Sequence, residues 1–303
     1  MTRITSRTCR TWSRGWKCGA VVAGVVVLTA YAGPEWPEMG DAGSSAGGAQ
    51  SPGGSGKLGR ITGALSGISP LTGDVGGTGD FQDLYLIYIK DINCFQATLD
   101  PAVLGFAEFN SQLFLFSADG IGLLANDDNG IPGTDFSTLT AVATDIQGFR
   151  VERNGLYILG ISGFNSDPAN TDGQIFDQAD PTEISAPDGP GGLITGGTGG
   201  LEFWNRPNGE TGGYSIVLSG TNLPNDFDCR ADCAPNDPAT CTIGNGIVNI
   251  DDLLMVINHF GALSSPCDVA PLNPDGTYGN NIVNIDDLLY VINHFGQNCQ
   301  EPS

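Results

Sequence analysis

Histidine is almost missing from this chain: there are two in 303 residues, and none between positions 33 and 228. That absence removes a Ser-His-Asp triad and a histidine-based zinc site from the whole central region. The eight cysteines include no CxxC pair and no Cys/His cluster with zinc spacing, so thiol redox and zinc-finger readings also fall away. No glycine motif of the phosphate-binding kind occurs; the glycines sit in turn contexts. Basic residues are scarce as well, 12 against 34 acids, and five of them (Arg3, Arg7, Arg10, Arg14, Lys17) crowd into the first 17 positions. The remaining chain is so acidic that nucleic acid and anionic membranes are excluded as partners, while cations are attracted. Long apolar runs are absent too. The longest, Gly19–Ala32, falls short of the roughly 20 residues that span a bilayer.

What is present begins with an export signature. A basic region precedes that apolar run, and Ala30-Tyr31-Ala32 fits a cleavage site, so residues 1–32 read as a signal peptide and the mature chain starts at Gly33. The expected location is secreted, extracellular or at the cell surface, with no membrane span after cleavage. Residues 33–57 (GDAGSSAGGAQSPGGSG and neighbours) read as a flexible linker.

From 58 to 223 short apolar runs alternate with turn chemistry. DLYLIYI (83–89), SQLFLFS (111–117), GLYILGIS (155–162) and GGYSIVLSG (212–220) are β-branched and aromatic strands. Weaker strands are expected near 60–66, 94–99, 138–143, 146–152 and 201–205. The Gly/Asp/Pro-rich stretch 163–199 reads as a long loop. The fold class expected is mainly β: a jelly-roll-like β-sandwich followed by a small all-α duplicated unit. NDDNG (126–130) with Asp135 offers oxygen atoms to a cation in a turn.

That duplicated unit, 224–303, carries the most specific signal. IVNIDDLLMVINHFG (247–261) and IVNIDDLLYVINHFG (282–296) agree at fourteen of fifteen positions with an offset of 35. The full repeats span 232–261 and 268–296. Ile250, Leu253, Leu254 and Ile257, like Ile285, Leu288, Leu289 and Ile292, fall at i, i+3, i+4, i+7, which predicts amphipathic helices that bury these faces on each other. Each is about three turns and too short to persist alone.

An EF-hand-type calcium loop takes oxygens from positions 1, 3, 5, 7, 9 and 12. With Asp252 and Asp287 at position 12, Asn249 and Asn284 fall at 9, the carbonyls of Ile247 and Ile282 at 7, and Asn245 and Asn280 at 5. Positions 1 and 3 fall on Cys241 and Ile243, then Gly276 and Tyr278, none a ligand. The expected remedy is an expanded loop in which Asp232, Asp237, Asp268, Asn273 or Asp275 folds back. Disulfides alone could hold the loops instead. Asp251 and Asp286 read as solvated helix-start acids, and His259 and His294 as residues favoured by the helix C-terminal dipole.

GIVNIDDLL (246–254) and NIVNIDDLL (281–289) resemble the dockerin family, whose members carry two calcium loops, each followed by a helix. The resemblance implies calcium as cofactor and a cohesin-like protein docking partner. Its pseudo-symmetry implies that Cys229 and Cys299 clasp the ends of the unit, with Cys233–Cys241 closing the first loop. Residues 80–89, 112–128, 157–168 and 212–220 resemble sandwich modules related to the bacterial pre-peptidase C-terminal domain, which are non-catalytic appendages. Together these imply a secreted, non-catalytic binding or scaffold protein with a protein, polysaccharide or cell-surface ligand. The alternatives are a subunit of an extracellular polysaccharide-degrading assembly, or a hydrolase using a carboxylate pair.

Overall fold

The structure is a computed structural model, which describes residues 34–67, 79–100, 109–131, 134–205, 210–263 and 265–299. The signal segment expected at 1–32 lies outside the described residues. Among the described residues no helix is long and apolar enough to cross a membrane.

The chain is mainly β. Along it run β1 (Glu35–Pro37), β2 (Arg60–Leu65), β3 (Gln82–Ile89), β4 (Gln96–Leu99), β5 (Ser111–Ser117), β6 (Gly122–Asn126), β7 (Thr138–Thr140) and β8 (Gly155–Gly163). These are followed by β9 (Pro168–Asn170), β10 (Gly173–Gln174), β11 (Phe203–Trp204), β12 (Gly212–Ser219), β13 (Thr221–Asn222), β14 (Asn236–Asp237) and β15 (Thr242–Ile243). Two five-stranded sheets form a sandwich, one in the order β1-β2-β12-β4-β7 and the other β13-β3-β8-β5-β6. All pairings in them are antiparallel except β1 with β2. Strands are found near all the expected places save 146–152, where only an isolated Val142–Arg150 bridge forms.

The near-continuous apolar character of β3, β5 and β8 has a physical cause: their sheet is covered on both sides. Successive side chains of a strand point to opposite faces. Tyr85, Ile87 and Ile89 of β3, Leu113 and Leu115 of β5, and Leu159 and Ile161 of β8 fill the space between the sheets against Ile61, Ile216 and Leu218. Their neighbours Leu84, Phe114, Phe116 and Ile158 point outward and pack against Ile175, Phe176 and Trp204. That cover comes from the stretch 163–199 and from β11, so the expected long loop is a packed lid with its own small sheet, β10-β9-β11.

Residues 34–57 are the second departure. The expected linker supplies β1, buries Ala42 completely, and lays Gln50 along β3 through Gln50 N to Leu84 O (2.8 Å) and Leu86 N to Gln50 O (2.9 Å). Trp204 Nε1 donates to Ser44 O at 2.7 Å. Small residues suit this position because the backbone lies close on itself. A Cβ on Gly43 would sit 2.6 Å from Gly48 O, at a φ of +74°.

The rest of the outer face, at Tyr88 and Leu156, is covered by residues beyond 224. Tyr88 belongs to the same buried cluster as Ala231, Cys233, Val248, Val256, Val269, Tyr278, Val283 and Val291. The C-terminal part therefore shares a core with β3 and β8 rather than closing its own. Instead of an all-α unit, it comprises two nine-residue helices, the β14–β15 hairpin and ordered loops.

The cysteines reinforce that joint. All six of the described cysteines are paired: Cys229 with Cys299, as expected, Cys233 with Cys267, and Cys94 with Cys241. The expected Cys233–Cys241 link is replaced because Cys233 lies in the shared interior beside the second repeat, while Cys241 faces the start of β4.

Candidate functional site

The two helices, α1 (Ile250–Asn258) and α2 (Ile285–Asn293), start from Asn249 and Asn284. Each asparagine Oδ1 accepts the backbone N–H two residues on, from Asp251 and Asp286, at 2.6 Å. At the other end His259 Nδ1 lies 2.9 Å from Met255 O and His294 Nδ1 2.8 Å from Tyr290 O, which satisfies last-turn carbonyls. Tyr290 stacks on His294 and lies under the Arg230 guanidinium, 4.3 Å away.

The face turned inward is only partly the one the i, i+3, i+4, i+7 pattern suggested: Leu253 and Leu288 pack against the shared core, and the other members do not. Asp252 with Val256, and Asp287 with Val291, are buried. Ile250, Leu254 and Ile257, and their counterparts Ile285, Leu289 and Ile292, are about half exposed, as are Phe260 and Phe295. The cause is a pair of hydrogen-bonded clasps that pull the aspartate side of each helix into the interior.

Asp252 Oδ1 accepts from Cys233 N and Ala234 N, both at 2.8 Å, and its Oδ2 from Asn249 N at 2.7 Å. In the second repeat Asp287 Oδ1 accepts from Val269 N (2.7 Å) and Ala270 N (2.8 Å), and Oδ2 from Asn284 N at 2.8 Å. The upstream aspartates answer in the other direction. Asp232 accepts from Asn245 N (2.9 Å) and Gly246 N (2.8 Å), and Asp268 from Asn280 N (3.0 Å) and Asn281 N (2.7 Å). Each repeat is thus closed by two carboxylates, each bridging to the other's strand. Burial raises the carboxyls of Asp232, Asp268 and Asp287 above the usual range, and the backbone donors pull them back.

This arrangement sets the fit of a calcium ion. Both oxygens of Asp232, Asp252, Asp268 and Asp287 accept backbone N–H groups, which occupies part of each carboxylate's roughly four lone-pair sites. Asn245 Oδ1 and Asn280 Oδ1 accept from Ile247 N and Ile282 N, both at 3.2 Å, and Asn249 and Asn284 are caps. Asp275 accepts from Thr277, and Asp237 from Ala239 and Thr240, as turn residues. Asn273 Nδ2 donates to Thr277 and to Gly279 O. Ile247 pairs with Asn298 in a short antiparallel bridge, and Ile282 is partly exposed. The conformation therefore brings the expected ligands together in sequence order, with their oxygens already accepting backbone amides.

A fixed cation lies beside the first clasp: Lys90, which follows β3, has its Nζ 3.9 Å from Asp232 Oδ2. Both side chains are buried. Sequence reasoning missed Lys90 because its partner lies 142 positions away. It also missed Asp41 and Asp80, which join Asp83 in a group with one oxygen from each within 4.8 Å of the others, the one group among the described residues with metal-ligand spacing. Asp127 and Asp128 of NDDNG have buried oxygens but do not form such a group with Asp135. No family model matches this chain, and no curated protein does.

Proposed function

We propose that the chain is an exported, non-catalytic binding protein that docks a protein partner through the apolar faces α1 and α2 leave in solvent. The observation that carries this is the duplicated exposed face: Ile250, Leu254, Ile257 and Phe260, with Ile285, Leu289, Ile292 and Phe295, are all between 47 and 57% exposed. An apolar row kept outside in both copies of a repeat, while aspartates go inside, fits a partner-binding surface better than a core. Six paired cysteines fit an oxidising, extracellular setting.

The partner suited to these faces is a protein with an apolar groove. In a dockerin-like setting the same surface would join the chain to an extracellular polysaccharide-degrading assembly. The test is binding of the full chain to secreted proteins of its source, compared with Leu254→Asp and Leu289→Asp. Loss of a stoichiometric complex in either variant, with unchanged melting, supports docking. Equal capture by wild type and both variants overturns it. An increase in mass of the wild type alone on sedimentation would assign the faces to self-association instead.

A further inference from the structure

A cleft of about 770 Å³ lies at the joint between the sandwich and the repeat. Its walls come from the segment after β3, the segment before β8, the start of the β14–β15 hairpin and the second repeat with the chain that leads into it. The segment before β8 is fixed from three directions. Val151 is buried, and its N–H donates to Ala141 O at 2.9 Å. Asn154 Oδ1 accepts from Ile92 N at 2.9 Å, and Asn154 O from Tyr278 N at 3.1 Å. Arg150 and Arg153, carried on this anchored segment, both line the cleft.

Two arginines side by side are unexpected in this chain. Taking the five bases of the signal segment from the 12 in the sequence leaves seven, against 34 acids. Yet Arg153 donates no hydrogen bond and joins no ion pair among the described residues, and its Nε is buried without an acceptor. Burial raises the carboxyl of Asp268, and the charge of Arg153 opposes that rise, but Asp268 accepts from Asn280 N and Asn281 N and forms no ion pair with the arginine. Arg150 Nη2 donates to Asn93 Oδ1 at 3.2 Å. On the β14 wall, Asn236 Oδ1 is buried without a donor. Buried polar atoms are ordinarily hydrogen-bonded. One cleft thus holds a guanidinium that suits an anion and an amide oxygen that suits a hydroxyl.

We infer that this cleft binds a sugar acid, a hydroxylated unit with one carboxylate, and that Arg153 and Arg150 hold the carboxylate. The guanidinium fork matches a carboxylate through two parallel hydrogen bonds. The charge of the ligand follows from the rest of the wall. Asp91, Glu152 and Asp268 also line the cleft, so two cations there face three acids. A monoanion is tolerated in that field, whereas a phosphate ester, at roughly −1.5 to −2, is repelled. Hydroxyls both donate and accept, which suits the Asn236 amide and the Asp91 and Glu152 carboxylates. The volume falls within the range of about 300–1,000 Å³ usual for small-molecule sites. Every residue used here lies outside α1 and α2, so the docking reading can fail without this one.

The experiment is saturation-transfer NMR with calorimetry on the full chain. The probes are the methyl glycosides of glucuronic, galacturonic and mannuronic acid, with methyl glucoside, acetate and glucose 6-phosphate as comparisons. Wild type is expected to bind at least one of the three acids saturably, and each comparison at least tenfold more weakly. Arg153→Gln should weaken that binding roughly tenfold or more, as for a lost charge-assisted hydrogen bond. Its melting temperature without ligand should hold or rise, because the buried Nε–H has no partner to lose. Arg150 is exposed, so Arg150→Gln keeps the fold and should weaken binding in the same direction. Saturable binding of none of the three acids overturns the site, as does wild-type affinity in either variant. Equal binding of methyl glucoside overturns the role of the carboxylate, equal binding of acetate that of the sugar, and tighter binding of glucose 6-phosphate the choice of a monoanion.

Discussion

Lys90 Nζ and Asp232 Oδ2 face each other across 3.9 Å, with both side chains almost wholly buried. One comes from the end of β3, the other from the first clasp of the repeat. Desolvation lowers the lysine and raises the aspartate, and their attraction opposes both shifts. Removing one partner of such a pair leaves a buried charge uncompensated. Lys90→Met should therefore destabilise the chain by about 3 kcal/mol in urea unfolding. Adding Asp232→Asn should restore part of that loss. An additive double variant would mean that the two groups do not interact.

The clasps predict a calcium-independent effect. Asp252→Ala frees the N–H groups of Cys233, Ala234 and Asn249, and Asp287→Ala those of Val269, Ala270 and Asn284. A buried donor left unsatisfied costs about 1–3 kcal/mol, so each variant should lose about 2–4 kcal/mol. The loss should be the same in calcium and in EDTA. If instead it appears only in calcium, the aspartates are ligands.

Reduction should act on the joint between sandwich and repeat. Cys94–Cys241 closes a loop of 147 residues, and replacing both cysteines by serine should lower stability by about 2–5 kcal/mol. Because Tyr88 Oη also bonds Tyr278 Oη at 2.7 Å inside the shared cluster, a chain ending at residue 223 should melt below the full chain. Differential scanning calorimetry of the two would show it. Equal melting temperatures would mean that the sandwich does not depend on its cover.

Asp127 gives a pH signature. Burial and the nearby charges of Asp128, Asp167 and Asp135 push its carboxyl up from the usual carboxylate range to about 7. The folded state then holds a proton that the unfolded state has released, so stability is full below the unfolded value and falls as pH rises through that window. Asp127→Asn should flatten the decline in melting temperature between pH 4 and 7. An unchanged slope would show that Asp127 does not carry it.

Much of this was legible in the residues. Alternating apolar and aromatic positions located β3, β5, β8 and β12 within a residue or two, because a strand buried on one face or both must place side chains with period two. The i, i+3, i+4, i+7 spacing located α1 and α2. The Cys229–Cys299 clasp followed from the repeat's pseudo-symmetry. Illegible were the contacts made across long separations: Lys90 with Asp232, Asp41 with Asp83, Cys94 with Cys241. Local pattern carries no information about which surface covers which.

The helix faces show the division most plainly. Sequence alone determined that 250–258 and 285–293 are helices, that they are copies, and that each has an apolar stripe, since these depend on local spacing and capping. It also determined that the chain is mainly β and strongly acidic. Tertiary structure decided that most of the stripe stays outside, with only Leu253 and Leu288 packing on the core, and that Asp252 and Asp287 go inside. A carboxylate surrounded by three backbone donors is satisfied when buried, and those donors come from segments 17 to 19 residues upstream as well as from the helix cap. Hydrophobic periodicity weighs only the side chains of one helix. The fold also has to satisfy the amides of the loop that crosses it.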